Sequence, residues 1–586
     1  MSHAYEAPLA WIRLAIEQAA QDTGLHTTPQ WNEARGETAD MILEEAARFA
    51  SEVISPLNPA GDRTPSRIVD DGVQTPPGYV QAYRQFHEAG WPGLSAPSEY
   101  GGQALPMLLT GATTEMWASA SLAFAMCPEV SVAAIEAIRA HGSPELRDLY
   151  LPRLSSGEWT ASMCMTEPQA GSDLSTIRTR AERDGDAWRL FGRKIYISWG
   201  EHDLSENIVH LVLARTPNAA PGVKGLSLFL MPKMVRDANG ALVRNDVHAV
   251  SLEHKMGIRG SPTCVLAIGD REGARAWLIG AEGAGLACMF TMMNHMRLGV
   301  ALHSTGVAER ALQLARHHAH ERRQGRGADG NQQLIVHYPD IKRMLLSMKA
   351  QTHAARCLAY NAAATLDMAS LAADEETRSA ASARISLLTP LAKAMCSEIA
   401  LEVASLGVQV HGGAGFVDDS EISQIFRDSR IGSIFEGTNY IQAQDLLTRK
   451  VAADSGRALY SLLDEMQRAA GAIPQIESLA PLRAGLVIGI ERLRAAAQEI
   501  IAAGAPRDLV GSIAHPFLQW LGVLAGAWQW ARMAEASARI QEAGLKQSVL
   551  ATAAFYGAHI LPRAISLEVI VRGGHAPITA ASALDI

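Results

Sequence analysis

The chain has no pattern of paired cysteines. Its six, Cys127, Cys164, Cys264, Cys288, Cys357 and Cys396, are scattered without CxxC or Cys/His ligand spacing. That excludes a zinc ribbon or a disulfide framework, implies no metal, and fits a reducing interior. There is no basic excess either: 52 Lys and Arg stand against 61 Asp and Glu, for a net charge of -9. A broad positive surface for nucleic acid is therefore not expected. No GxGxxG follows a strand and opens a helix, so a nicotinamide-binding Rossmann domain is not supported. Short repeats and long low-complexity tracts are missing. The N-terminal stretch MSHAYEAPLAWIRLAIEQAA has no basic segment leading into an unbroken apolar run, and it carries Glu6 and Glu17. A cytoplasmic protein is expected. Residues 509–531 carry no formal charge and are long enough to span a bilayer. His515-Pro516 interrupts this stretch, and Ser512, Gln519 and Gln529 dilute it. It reads as a buried helix with Pro516 in its first turn, not as a transmembrane span; peripheral membrane contact stays open.

What is present is ordinary globular material. The 586 residues are 48% hydrophobic and 19% charged, and the length suggests roughly three to five domains. Residues 1–157 read as helices, with segments at 9–16, 40–53, 79–89, 107–126, 130–141 and 144–154 and a Pro/Gly/Asp-rich loop at 56–77. From 158 to 283 the texture changes to short β-rich runs separated by turns, including a hairpin around Asp184-Gly185-Asp186 and strands at 194–199, 208–214, 226–231 and 264–268. Helical periodicity returns over 284–453, where 298–320, 338–368 and 379–406 suggest an antiparallel bundle. Residues 454–475 read as a linker with its own short helix. Residues 476–586 read as a further helical domain containing Trp520, Trp528 and Trp530. The architecture is α+β: helices, a β domain, then helices twice over.

The stretch Ile434-Phe435-Glu436-Gly437-Thr438-Asn439-Tyr440-Ile441-Gln442 is where chemistry concentrates. Asn439 and Gln442 have capping-box spacing, so a helix is expected to start near Tyr440 and end near Arg449 and Lys450. Glu436 then sits just outside the positive end of that helix, on a turn loosened by Gly437. The dipole favours the carboxylate and an apolar pocket against Phe435 opposes it, a balance suited to a general base. The bland alternative is a glutamate that merely complements the helix dipole. Met163-Cys164-Met165-Thr166-Glu167-Pro168-Gln169-Ala170-Gly171-Ser172-Asp173 reads as a bent loop offering N–H groups and hydroxyls to a ligand, or a plain surface turn. Residues 194–199, KIYISW, read first as a sheet-core strand. Gln409-Val410-His411-Gly412-Gly413-Ala414-Gly415 ends a helix in three glycines, of which capping explains one and close approach of a ligand could explain the others. Glu321-Arg322-Arg323-Gln324-Gly325-Arg326 is a basic run, solvated or paired with a phosphate.

Together and in this order, MCMTEPQAGSDL, KIYIS, HMRLGVA, HERRQGRG, QVHGGAGF and FRDSRIGSIFEGTNYIQ resemble the acyl-CoA dehydrogenase family, flavoproteins, over about residues 37–453. The extra N-terminal helix, the segment EHKMGIRGSPTC and the C-terminal addition make the chain most similar to the enlarged bacterial members. The resemblance implies FAD, with Met163, Met165 and Thr166 along the isoalloxazine and Tyr196, Ile197 and Ser198 behind it, Ser198 near N5. Arg322, with Gln324 close by, matches the arginine that reaches the FAD pyrophosphate of a neighbouring subunit. Gln409, Gly412 and Gly413 match the segment beside the adenosine half. Thr438 and Tyr440 also face FAD, Tyr440 standing where glutamine is frequent. Ser172 and Arg297 match positions lining the acyl-CoA channel, and Glu436 matches the catalytic base.

The reaction implied is α,β-dehydrogenation of an acyl-CoA to the trans-2-enoyl-CoA, with an electron-transfer flavoprotein as acceptor and a homodimer as the assembly. The place is fatty acid metabolism, with the acyl chain unspecified. Two alternatives are an acyl-CoA oxidase, separable by the rate at which air reoxidises substrate-reduced enzyme, and a non-catalytic DNA-binding flavoprotein. The latter would need a basic stripe on residues 476–586, where basic and acidic residues are interspersed.

Overall fold

The computed structural model describes residues 4–237, 239–327 and 330–582. The chain forms two compact units, one of residues 48–106 and 116–299, the other of 1–47, 107–115 and 300–586.

The first unit is built on an eight-stranded mixed sheet. Its path runs Val247–Leu252, Thr263–Ile268, Ala187–Ser198, Ala274–Ile279, Leu226–Pro232, Asn207–Arg215 and Trp159–Cys164, with Arg180–Asp184 paired to Ala187–Ser198. Central strands are buried on both faces. Along Leu226–Pro232, Leu226, Leu228 and Leu230 enter one core while Phe229 and Met231 enter the other. That is why this strand is a continuous apolar run rather than an alternation. The first core is closed by helices Leu122–His141 and Pro144–Ser155 and by Met289, Met292 and Met296. Strand Ala187–Ser198 pairs with Ala274–Ile279 through residues 188–190 and with Thr263–Ile268 through 192–198. It changes neighbours at Gly192, where a Cβ would lie 2.9 Å from Thr179 Cα. Only glycine fits that approach.

The second unit is helical. Pro339–Leu371 and Glu375–His411 pair along their length, with Leu9–Thr23 against the former. A buried ionic cluster joins three segments: Arg356 donates to Glu115 Oε1 (2.5 Å) and Glu309 Oε2 (2.8 Å), and Tyr360 Oη donates to Glu115 Oε2 (2.7 Å). The C-terminal part adds Ala480–Ala502, Arg507–Ala536, Ala543–Phe555 and Arg563–Gly573. Trp530 Nε1 donates to the Ala350 carbonyl at 3.0 Å, and the Arg384 guanidinium lies 5.5 Å from the Trp528 ring centroid. Two segments, Arg507–Arg539 and Ala543–Gly573, are long and apolar enough to cross a membrane. In the first, 61% of the most apolar 18-residue window is buried inside the protein, as in a core helix.

The α+β architecture with a β middle and added C-terminal helices is as expected, but several local readings change. Residues 107–126 are two helices, Met107–Ala120 and Leu122–His141, broken at Ser121. The expected loop at 56–77 contains helix Leu57–Arg63 and the hairpin Arg67–Val69/Gly72–Gln74. The helix expected within residues 454–475 is present as the 16-residue Arg457–Ala472, packed through buried Leu459, Leu462, Leu463 and Met466. Pro516 lies mid-helix instead of in the first turn. Burial of Phe517, Leu518, Trp520 and Leu521 just beyond it offsets the lost N–H bond, a cost of about 3 kcal/mol.

Candidate active site

Glu436 and Gly437 both adopt left-handed backbone conformations, φ +57° and +81°. For glutamate this is costly by about 1–3 kcal/mol, and it persists only where the surroundings over-determine it. They do so here. Gln442 Nε2 donates to the Glu436 carbonyl (3.0 Å) and to the Gly437 carbonyl (3.3 Å). Lys393 Nζ, wholly buried, donates to the Gly437 carbonyl at 2.9 Å. The preceding turn, Arg430–Ser433, sits tightly on two helices, since a Cβ on Gly432 would lie 3.1 Å from Ser397 Cβ and 3.2 Å from Ser304 Oγ. The following helix is Asn439–Asp445, continued as a wider π-type turn over Leu446–Ala452. Its cap is Thr438, whose Oγ1 accepts from the Ile441 N–H at 3.3 Å, not Asn439. Asn439 is instead turned inward, 5% exposed, onto Ser397 and Lys393. Glu436, half-buried, thus stands at the N-terminal end of a helix, on a reversed turn held by Gln442 and Lys393. Tyr440 Oη donates to the Gly511 carbonyl at 3.3 Å, so this ring is tied to helix Arg507–Ala536.

The flavin-loop candidates lie together in the sheet unit. Strand Trp159–Cys164 sends Cys164 into one core, while Met163 and Met165 pack, half-buried, against the other. Beyond its end, the Thr166 carbonyl accepts from the Ile195 N–H at 2.9 Å, and the Met165 carbonyl accepts from Lys194 Nζ at 2.9 Å. Glu167 accepts from Lys194 Nζ, Thr179 and the Arg178 N–H. Burial alone would raise its carboxyl, but these partners hold it at about 2. Across Thr263–Ile268, Cys264 pairs with Ile197 and Leu266 with Lys194, so Val265 opposes both Ile195 and Tyr196. This bulge throws Tyr196 outward, at φ +58° and 60% exposed. Ile197 consequently points into the core, 2% exposed with its carbonyl accepting from the Gly200 N–H at 3.3 Å, while Ser198 is half-buried. Ser172 is exposed, and Arg297 is buried on helix Gly285–Glu321 with Nη1 donating to Asn294 Oδ1 at 3.2 Å.

A third set lies in the helical unit. His318, one turn before Arg322, stacks on His411 at 4.3 Å, which brings the HERRQG and QVHGG segments side by side. Arg322 is exposed and donates to Gln324 Oε1 at 3.3 Å. Gln409 is exposed, its carbonyl accepting from the Gly412 N–H at 3.1 Å. A Cβ on Gly412 or Gly413 would meet nothing within 4 Å. Gly412 is needed for its φ of +61°. Gly413 has no such demand inside the chain, so its want of a side chain suits a ligand's approach from outside.

Comparison with known proteins gives the family. Acyl-CoA dehydrogenase N-terminal, middle and C-terminal domain models match residues 36–158, 162–270 and 283–450, and an acetyl-CoA dehydrogenase C-terminal-like model matches 462–582. The 3-methylmercaptopropionyl-CoA dehydrogenase of Ruegeria pomeroyi is 42% identical over 574 residues, covering 95% of this chain and 96% of the relative. The chain belongs to the acyl-CoA dehydrogenase family. Two solved structures share the fold of this acyl-CoA dehydrogenase. Caenorhabditis elegans ACDH-11 in complex with C11-CoA matches with a TM-score of 0.78, covering 98% of this chain and 97% of that one at 21% identity. An acyl-CoA dehydrogenase of Bacillus anthracis complexed with FAD matches at 0.75, covering 96% and 90% at 23% identity.

Each set by itself suits part of a flavin dinucleotide: in the sheet unit an outward aromatic on a bulge, with thioethers and hydroxyls on the paired segments, suits a flavin ring, and in the helical unit an exposed arginine and an open glycine pair suit a diphosphate. What sequence reasoning missed in this acyl-CoA dehydrogenase is the layer under the turn. Lys393 and Glu398 interrupt the apolar run of helix Glu375–His411. A charge at a buried helical position was the available signal.

Proposed function

We propose that the chain removes the α-proton of an acyl-CoA thioester with Glu436 while the β-hydrogen leaves as hydride, yielding the trans-2-enoyl-CoA. The cofactor is FAD, which supplies the hydride acceptor when bound. The observation that carries the reading is the strained Glu436-Gly437 pair held at a helix N-terminus by Gln442 and Lys393. A thioester α-proton is weakly acidic, so the developing enolate charge must meet fixed donors, and a preorganised turn provides them without reorganising during reaction. Met163, Met165, Thr166, Tyr196 and Ser198 would hold the ring. Arg322, Gln324, Gln409, Gly412 and Gly413 would hold the diphosphate and adenosine of a second copy's cofactor, which is why a homodimer is proposed. Arg297 and Ser172 would border the thioester. The identity to a 3-methylmercaptopropionyl-CoA dehydrogenase makes that thioester the first substrate to try, beside linear acyl-CoAs. An electron-transfer flavoprotein is the proposed acceptor.

The test is Glu436→Gln. It should keep the flavin and reduce it at least about a thousandfold more slowly with acyl-CoA. Undiminished bleaching would place the base elsewhere.

A further inference from the structure

The turn carrying Glu436 is held from below by hydrogen bonds that end in the C-terminal helices. Asn439 is the hub. Its Oδ1 accepts from Lys393 Nζ at 3.0 Å, and its amide donates to Ser397 Oγ (3.0 Å), the Ala394 carbonyl (3.3 Å) and Glu398 Oε1 (3.3 Å). Glu398 faces two residues of helix Arg507–Ala536. His515 Nε2 lies 2.7 Å from Oε1, and Gln519 Nε2 donates to Oε2 at 2.9 Å. One turn earlier, the Gly511 carbonyl takes the Tyr440 hydroxyl. Gly511, His515 and Gln519 recur every four residues and so lie on one stripe of the helix. Along that stripe the helix meets both sides of the base's support, Tyr440 directly and Asn439 through Glu398.

The chemistry of the contact matters. Glu398 is half-buried on helix Glu375–His411, and a carboxylate in that position needs donors to stay ionised. The His515 hydrogen bond raises the imidazole above its ordinary value, and, against burial, the donors around Glu398 hold its carboxyl below the usual range. Both shifts favour the charged forms of the two partners. Removing the C-terminal donors leaves the Asn439 amide as the remaining named donor to Glu398. The amide that fixes the first residue after the turn would then be drawn from its bonds to Ser397 and Ala394.

We propose that the C-terminal helices are a positioning element for the base: His515 and Gln519, acting through Glu398 and Asn439, hold the Glu436 turn in its reactive conformation. The proposal rests on the reading of Glu436 as the base. All four act through the turn and are positioning residues.

The test uses the full-length flavin-loaded protein with 3-methylmercaptopropionyl-CoA and butyryl-CoA as probes. His515→Ala/Gln519→Ala should keep flavin content while the flavin-reduction rate falls about ten- to a hundredfold. The half-saturating thioester concentration should move little. Deuterium exchange of the Gly437–Gln442 amides should quicken, and His515→Gln, which keeps an N–H toward Glu398, should lose little rate beside His515→Ala. If the double variant does not fold, the two single His515 variants carry the same comparison. Wild-type rate and wild-type exchange in the Ala variants would overturn the proposal. So would a loss of rate that tracks loss of flavin, or one that His515→Gln shares in full. Bleaching by Glu436→Gln at the wild-type rate would instead sink the base assignment, and the exchange data would still report whether the helix holds the turn.

Discussion

Lys194 and Glu167 form a buried ion pair, Nζ to Oε1 at 2.9 Å, that staples the end of strand Trp159–Cys164 to the bulged strand Ala187–Ser198. The same ammonium holds the Met165 carbonyl. Lys194→Met should therefore strand a buried carboxylate and cost about 3–5 kcal/mol. Thermal unfolding would show it, together with lower flavin content, because the Met165–Thr166 turn loses an anchor. Unchanged flavin content would remove these carbonyl contacts from the cofactor site.

The pair also carries a pH signature. Glu167 sits at about 2 in the folded chain against an ordinary 4.5. A depressed acid contributes stability that is complete above its unfolded value and is lost as pH falls through the folded one. Glu167→Gln should therefore flatten the loss of stability between pH 4.5 and about 2, measured by denaturant unfolding at each pH.

Asp367 shows the opposite sign. It accepts the Met107 and Leu108 N–H groups at 2.6 and 2.9 Å at the start of helix Met107–Ala120, yet burial raises its carboxyl to about 7 from 3.8. The folded state keeps a proton that the unfolded chain has released, so stability falls as pH rises from 3.8 to about 7. Asp367→Asn should abolish that slope. Asp367→Ala, which orphans both N–H groups, should cost about 2 kcal/mol.

Gln442 is wholly buried, and its amide is bonded to both carbonyls of the strained pair. Gln442→Leu keeps much of the volume and removes the donor. Flavin should stay bound while its reduction by acyl-CoA slows about tenfold or more. An unaltered rate would mean that Lys393 alone suffices to hold the turn.

Arg322→Ala should weaken FAD retention more than turnover per bound flavin, because an exposed guanidinium suits a phosphate and lies away from the Glu436 turn in sequence and role. Dialysis followed by flavin absorbance, with activity normalised to flavin, separates the two effects. The reverse pattern would remove Arg322 from the cofactor site.

The residue order alone was enough to identify the family, to single out Glu436 and to place the helix after it. Those signals are local: a carboxylate before glycine and a run of motifs at family spacing, whereas the cap itself lies one residue earlier than the spacing predicts, on Thr438 instead of Asn439. Strands Asn207–Arg215 and Leu226–Pro232 were legible for a related reason, since burial on both faces makes them continuous apolar runs. Strands Trp159–Cys164 and Val247–Leu252 were not, because their side chains mix polar and apolar residues and only pairing makes them strands. Register was beyond reach as well. One extra residue opposite Val265 turns Tyr196 out and Ile197 in, and the composition of KIYIS does not specify a bulge. The support under the base was decided by tertiary packing alone. Lys393, Glu398, Asn439 and His515 are drawn from three helices far apart in the chain, and only the docking of those helices brings their polar atoms within bonding distance.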